Sequence, residues 1–339
     1  MAGHWSQVKV PKPGARTYHS LTYDAHRERI VLFGGSEDFS KERNDTWEWD
    51  GKAWSQVATF GPGPRRRHAA AYDSNLKRVM IFGGDRAIPN NNFEQEVLSD
   101  PWEWGGSGWT KLPDFGPPAR LAAAMAYDSK RQRMMLFGGG GRHQKGSSSG
   151  PITGISDYDP RTWEWDGRGW AVCATGGPSG RYGHSMVYDA ARERVVLFGG
   201  AVDDVPPKKG EKVHTARYFG DTWEWNGTAW TQRSDIGPAP RALHAMAYDS
   251  DRGRTVLFAG QISNDPDEDV KAGIPADTWE WDGSAWMQVA DMGPGHWVGA
   301  DMAYDRARQQ MVLFGGAGIG ANKSVWIWHP AAKPVSNDP

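Results

Sequence analysis

Four histidines, His19, His68, His184 and His244, each stand four residues before a tyrosine. Imidazole is the commonest metal-ligating side chain, so four of them on equivalent strands would be the raw material of a transition-metal cluster. Equivalent positions of a regular array are held apart, however, and Cys173 is the only cysteine. There is thus no disulfide framework and no cysteine-rich metal site. No phosphate loop or His-Glu-x-x-His occurs. Neither metal nor cofactor is expected. A second set of residues follows no pattern: Tyr18, Arg67 and Trp297, then Arg142, His143, Tyr158, Lys208, Lys209, His214, Arg217 and Tyr218, and an acidic stretch with Asp265, Asp267, Glu268 and Asp269. These are the residues to place against a scaffold.

The scaffold is a repeat. Six Tyr-Asp pairs recur in one pattern, beginning at Tyr23, Tyr72, Tyr127, Tyr188, Tyr248 and Tyr304, and each is followed 12 residues after the tyrosine by a glycine that ends an apolar run. A Trp-x-Trp comes next, from Trp47/Trp49 to Trp326/Trp328, and a third tryptophan lies 7 residues after the first in five copies: Trp54, Trp109, Trp170, Trp230 and Trp286. From that third tryptophan to the next Tyr-Asp is always 18 residues. The sixth copy lacks it, but His4-Trp5-Ser6-Gln7-Val8 matches Ala53-Trp54-Ser55-Gln56-Val57, and Trp5 is 18 residues before Tyr23. The N-terminal segment therefore completes the last copy and closes a ring, which leaves only short, protected strand edges.

Each copy reads as four short strands: a ends at Tyr-Asp, b is the apolar run, c carries Trp-x-Trp and d the third tryptophan. Pairs such as Asp50-Gly51 and Asp166-Gly167 suit the tight c–d turn. The chain is predicted to be all-β, a six-bladed propeller of four-stranded antiparallel blades over residues 1–330, with a tail at 331–339. Of 19 tryptophans, 18 fall on the pattern, spaced for packing between blades rather than for a sugar-stacking platform.

The glycine pair closing strand b, the downstream aromatic residues and the arginine opening strand a resemble the kelch repeat, over residues 3–330. The Trp-Glu-Trp-Asp-Gly wording is similar to that of bacterial kelch-repeat proteins. The galactose oxidase propeller of this superfamily holds copper beside a tyrosine crosslinked to a cysteine; here Tyr18-His19 is the one Tyr-His dipeptide and Cys173 lies on an outer strand, so that activity is not expected. Nor is the Glu, Asp and His spacing of iron-binding plant specifier proteins present. In kelch adaptors of ubiquitin ligases the position two after the strand-a arginine lines the binding pocket; Tyr18 and Arg67 fill it here, with Ala122, Gly183 and Leu243 in other blades.

Arg16, Arg65, Arg120, Arg181 and Arg241 recur seven residues before Tyr-Asp, and Glu48, Glu103, Glu164, Glu224 and Glu280 sit inside Trp-x-Trp; the sixth copy has Trp297 and Ile327 instead. Joint loss predicts five ion pairs, Arg16–Glu48 through Arg241–Glu280, and leaves Arg67 available to an anion. All length variation falls in the b–c loops, where the glycine-to-tryptophan steps are 12, 18, 24, 23, 19 and 10. Function concentrates on variable loops carried by a rigid scaffold. The expected site is therefore the channel mouth on the b–c face, with loops 140–158 and 201–220 as one wall and Tyr18, Arg67 and Trp297 as the floor. The expected function is a binding module for a peptide, protein or small-molecule ligand; the alternative is a cofactor-independent enzyme of cyclase or isomerase type in the same mouth.

A formal charge of −2 from 39 Lys plus Arg and 41 Asp plus Glu points to no nucleic-acid or membrane partner. No apolar run is long enough to cross a membrane, and the start shows no signal-peptide pattern, so a cytoplasmic monomer is expected.

Overall fold

A computed structural model describes residues 3–37, 41–88, 91–141, 157–205, 215–262, 273–318 and 323–331. Its strands form six antiparallel four-stranded sheets. Blade one is Ser20–Asp24, Arg29–Phe33, Thr46–Trp49 and Trp54–Ala58. Blades two to five repeat this order. Blade six is Trp297–Asp305, Gln310–Gly318, Val325–His329 and, from the other end of the chain, His4–Val8. Trp5 pairs with Trp328 in that last ladder, so the outermost strand of the last blade comes from the first residues.

The repeat residues join each blade to the next. Strand-b side chains such as Ile30, Leu32, Met135, Phe137, Val196 and Leu313 are wholly buried between sheets. The third tryptophan of one blade donates its indole N–H to the threonine opening strand c of the blade before: Trp109 to Thr46 at 2.9 Å, Trp230 to Thr162 at 2.7 Å, Trp286 to Thr222 at 2.8 Å and Trp5 to Thr278 at 3.0 Å. Pro101 and Val325 replace that threonine in blades two and six, and the indoles facing them, Trp170 and Trp54, lack a partner. The Tyr-Asp pair serves the opposite face. Its aspartate accepts amides of the a–b turn, as Asp24 does from His26 and Arg27. Its tyrosine hydroxyl takes an amide from the preceding blade's turn, Tyr72 from His26 at 3.1 Å and Tyr23 from Ala307 at 3.0 Å.

The charge pattern resolves differently from the sequence expectation. Each strand-a arginine, buried, pairs with the aspartate just upstream of strand c: Arg16–Asp45 at 2.8 Å, Arg65–Asp100 at 2.8 Å, Arg120–Asp159 at 2.8 Å, Arg181–Asp221 at 2.5 Å and Arg241–Asp277 at 2.6 Å. The same guanidinium donates to the carbonyl of the residue after strand b, as Arg16 does to Gly34 at 3.0 Å. The Trp-Glu-Trp glutamates turn to another arginine, in the a–b turn for Arg27–Glu48 at 2.5 Å, Arg131–Glu164 at 2.5 Å, Arg252–Glu280 at 2.8 Å and Arg192–Glu224, and at the start of strand b for Arg78–Glu103 at 3.8 Å. The predicted Arg16–Glu48 set is thus replaced by two interleaved sets. Blade six misled the reading because it loses three members at once: Trp297, Ser324 and Ile327 stand where arginine, aspartate and glutamate stand elsewhere.

The N-terminal ladder is the only covalent-order mismatch in the ring, so it sets the weakest closure. Removing residues 1–9 strips strand d from blade six together with the Trp5–Thr278 bond, and is expected to lower the melting temperature by more than 10 °C, on the order of several kcal/mol for a strand of this burial. A truncated protein that melts with the full chain would show that the ring does not depend on this strand.

Candidate functional site

Two belts of backbone hydrogen bonds run around the central axis on the b–c side. In the outer one, the second glycine after each strand b donates to the carbonyl of the residue opening the next blade's strand a: Gly35 to Arg65, Gly84 to Arg120, Gly139 to Arg181, Gly200 to Arg241, Gly260 to Trp297 and Gly316 to Arg16, at 2.8–3.2 Å. In the inner one, Tyr18 donates to Gly299, Arg67 to Tyr18, Ala122 to Arg67, Gly183 to Ala122, Leu243 to Gly183 and Gly299 to Leu243, at 2.7–3.0 Å. All six inner residues hold left-handed backbone, with φ from +53° to +67°. Four of them are not glycine and pay about 1 kcal/mol each for it.

This inner belt is the throat of a central channel of about 390 Å³, which continues along the six a strands to the Tyr-Asp face. One backbone thus presents six different side chains, Tyr18, Arg67, Ala122, Gly183, Leu243 and Gly299, around one opening. The Tyr18 ring lies over Gly299, where a Cβ would meet its Cδ1 at 2.5 Å, and Leu243 packs over Gly183. Arg67 stands 5.9 Å from the Tyr18 ring centroid.

Two hairpins inserted in b–c loops rise beside this throat: Asp85–Ile88 with Asn91–Val97 in blade two, and Ala201–Val205 with Thr215–Tyr218 in blade four. Blade two's hairpin brings Asp85, which receives Arg67 through Nε at 2.7 Å and Nη2 at 2.6 Å, and Arg66 at 3.3 Å. Gln95 takes a further bond from Arg67 at 3.1 Å. Arg67 is therefore held by a carboxylate, not available to an anion as the sequence reading supposed.

Blade four's hairpin carries a tyrosine cluster. Tyr158 stacks on Tyr182 with centroids 5.8 Å apart, Tyr182 donates its hydroxyl to Asp203 at 2.9 Å, and the Asp203 amide donates to the Tyr158 hydroxyl at 2.9 Å. Tyr218 stands in the same group. Its phenol is raised by burial, by Asp203 and by Tyr18, which comes from the opposite side of the ring. Tyr182 is raised by burial and Asp203, and Tyr18 by burial. These phenols stay neutral donors at any physiological pH.

Of the sequence candidates, Tyr18, Arg67, Tyr158 and Tyr218 come together at this mouth. Trp297 does not: it is buried between blades, 6.4 Å from Phe258 and 6.1 Å from Trp326. It occupies the strand-a arginine position and fills the space with apolar surface. Arg142, His143 and His214, like Lys208, Lys209 and the acidic stretch from Asp265 to Asp269, lie outside the described residues. Tyr182, Asp85, Gln95 and Asp203 were missed. For Tyr182 a signal existed: ten tyrosines minus the six at the repeat position leaves Tyr18, Tyr158, Tyr182 and Tyr218, and all four gather here. The histidines are not at the mouth surface. Each ring packs edge-on to the previous blade's phenylalanine, His68 on Phe33 at 5.4 Å and His184 on Phe137 at 5.5 Å. Burial holds them neutral, His68 and His184 at about 3.

Deeper in the channel, two residues past the throat on the innermost strand of blade six, stands Asp301. Its Oδ2 accepts the Leu21 amide of blade one at 2.7 Å and its Oδ1 the Met302 amide at 2.8 Å. Burial pushes its carboxyl up to about 7 against the pull of both amides.

Asp85 holds two arginines in one buried arrangement. Asp85→Ala is expected to cost about 3–5 kcal/mol in chemical denaturation, because it strands the Arg67 charge. A change below 1 kcal/mol would mean that the mouth is not organised by this carboxylate.

Comparison with known proteins agrees with the geometry. A family model for the kelch-repeats domain of KLHDC2, KLHL20 and DRC7 matches residues 2–165. A solved structure entitled "Structure of YjhT" superposes with a TM-score of 0.66 at 15% identity, covering 93% of this chain and 95% of that one. Six four-stranded antiparallel blades make this chain a six-bladed β-propeller, and its residues 2–165 match the kelch-repeats family model.

Proposed function

We propose that this propeller is a ligand-binding module that holds a peptide, protein or small-molecule ligand over the channel mouth on the b–c face. One observation carries the reading: the four tyrosines outside the repeat, Tyr18, Tyr158, Tyr182 and Tyr218, gather with Arg67 around this mouth. Tyrosine supplies large contact area with two rotatable bonds and a polar tip, which suits recognition surfaces. The throat gives them a rigid base, and kelch propellers generally serve as binding or scaffold modules.

A second reading, an acid–base enzyme in the same mouth, is favoured by Asp301 alone. A carboxyl near 7 can take and return a proton at neutral pH.

The test is a thermal-shift screen of peptides and metabolites, with each hit repeated on Tyr182→Ala and Tyr218→Ala. Hits are expected to lose about tenfold or more in affinity in both variants. Hits that bind both variants as tightly as the parent would place the ligand elsewhere.

A further inference from the structure

The channel below the throat has a composition of its own. Its walls mix small and apolar side chains, among them Ala70, Ala123, Met125, Met186 and Met246, with uncharged polar ones from the repeat histidines, serines and tyrosines. Among the described lining residues, Asp301 is the only carboxylate and Arg67 the only arginine or lysine. Arg67 sits at the throat and is bound to Asp85 through two nitrogens. Asp301 has only two backbone amides as partners in the hydrogen-bond pattern of its own site.

A desolvated carboxylate whose partners are two backbone amides is costly unless a cation is brought to it. An anionic ligand would add to the unfavourable charge. A neutral polar ligand would leave it uncompensated. A ligand with an alkyl stem and an ammonium end meets both the walls and the acid.

We propose that the central channel receives the ammonium end of an alkylammonium ligand, with Asp301 as its counter-ion and the alanine and methionine walls around its alkyl stem. This rests on the mouth-binding reading, since the rest of such a ligand would lie against Tyr18 and Tyr218. The ammonium is either that of a free amine or that of a lysine side chain, which share this chemistry.

The other titratable groups facing the channel keep their charge between pH 6 and 8. Burial holds His19, His68, His184 and His244 neutral, the phenols of Tyr18 and of the repeat tyrosines Tyr23, Tyr72, Tyr127, Tyr188, Tyr248 and Tyr304 are all raised, and Arg67 stays charged. A change in affinity across that range therefore reports Asp301. Its raised value means the carboxyl is mostly protonated at pH 6 and mostly ionised at pH 8. Binding of a cation should strengthen as pH rises.

The experiment is calorimetric titration of the full chain with n-hexylammonium, n-hexanol, hexanoate and Nα-acetyl-lysine methylamide at pH 6 and pH 8. Hexylammonium is expected to bind about tenfold tighter at pH 8 than at pH 6, and at least tenfold tighter than hexanol or hexanoate at pH 8. Binding of the acetyl-lysine amide as well would identify a peptide-borne ammonium as an accepted source; its exclusion would point to free amines. Asp301→Asn, checked for folding by circular dichroism, should remove the preference for the amine. The pH comparison on the parent protein stands even if that variant does not fold. Equal binding of hexylammonium and hexanoate, or affinity unchanged between pH 6 and 8, would overturn the channel site. If hexylammonium binding depends on Asp301 but is untouched by Tyr182→Ala and Tyr218→Ala, the channel site stands and the mouth reading fails. Loss in the tyrosine variants with no loss in Asp301→Asn is the reverse outcome.

Discussion

Everything in this molecule depends on the ring being closed. A blade buries both faces, one against each neighbour, so an open array would leave two apolar faces in water. The seam between blades six and one is held at every radius. At the rim, the Trp54 ring of blade one packs 5.6 Å from Phe314 of blade six. On the Tyr-Asp face, Tyr23 receives the Ala307 amide. On the b–c face both belts cross the seam, through Gly316 to Arg16 and Tyr18 to Gly299. Inside the channel, Asp301 takes the Leu21 amide. The seam is therefore continuous with the other five joints, except that Asp301 stands where they use serine or alanine.

The belts also explain residue choices that look unrelated in the sequence. The first glycine of the pair is crowded by a carbonyl of the next blade and, where that blade has one, by its histidine: at Gly138 a Cβ would meet the two at 2.6 and 2.5 Å, whereas blade five, whose neighbour lacks the histidine, holds Ala259 there at φ +55°. The histidine is thus a spacer between blades, held neutral because that interface is dry. The glycine before each d–a proline has the same logic. At Gly61, Gly177 and Gly237 a Cβ would strike the indole of the next blade's third tryptophan at 2.5–2.6 Å. Substitution at these positions is a packing problem before it is a conformational one.

Much of this was legible because repetition multiplies a weak signal sixfold. Strand count, blade order and the return of Trp5 to the last blade follow from constant spacings, and the structure bears them out. What was not legible is pairing between charges, because spacing says which positions covary and not which atoms meet. Arginine, aspartate and glutamate vanish from the pattern together in blade six, at Trp297, Ser324 and Ile327, so the strand-a arginine fitted either acid equally well, and Asp45 rather than Glu48 receives Arg16. The same limit misassigned Arg67, since Asp85 reaches it from a hairpin that breaks the repeat. Trp297 looked exceptional as an off-pattern aromatic, but it replaces a buried arginine and is buried itself. Asp301 had no pattern to violate except that of small residues at its position.

The mouth inherits its rigidity from the inner belt, where four non-glycine residues are kept in left-handed conformations by their neighbours. A belt that holds Tyr18, Arg67 and Leu243 in that geometry fixes the side chains that any ligand would meet, and it does so only if it is as stable as the ring. Native-state amide hydrogen exchange reads this directly. The amides of Tyr18, Arg67, Ala122, Gly183, Leu243 and Gly299 are expected to exchange only through global unfolding, with the same free energy as the strand-b core. Rapid exchange at these six amides, at the rates of the exposed c–d turns, would contradict a closed belt and the preformed mouth built on it.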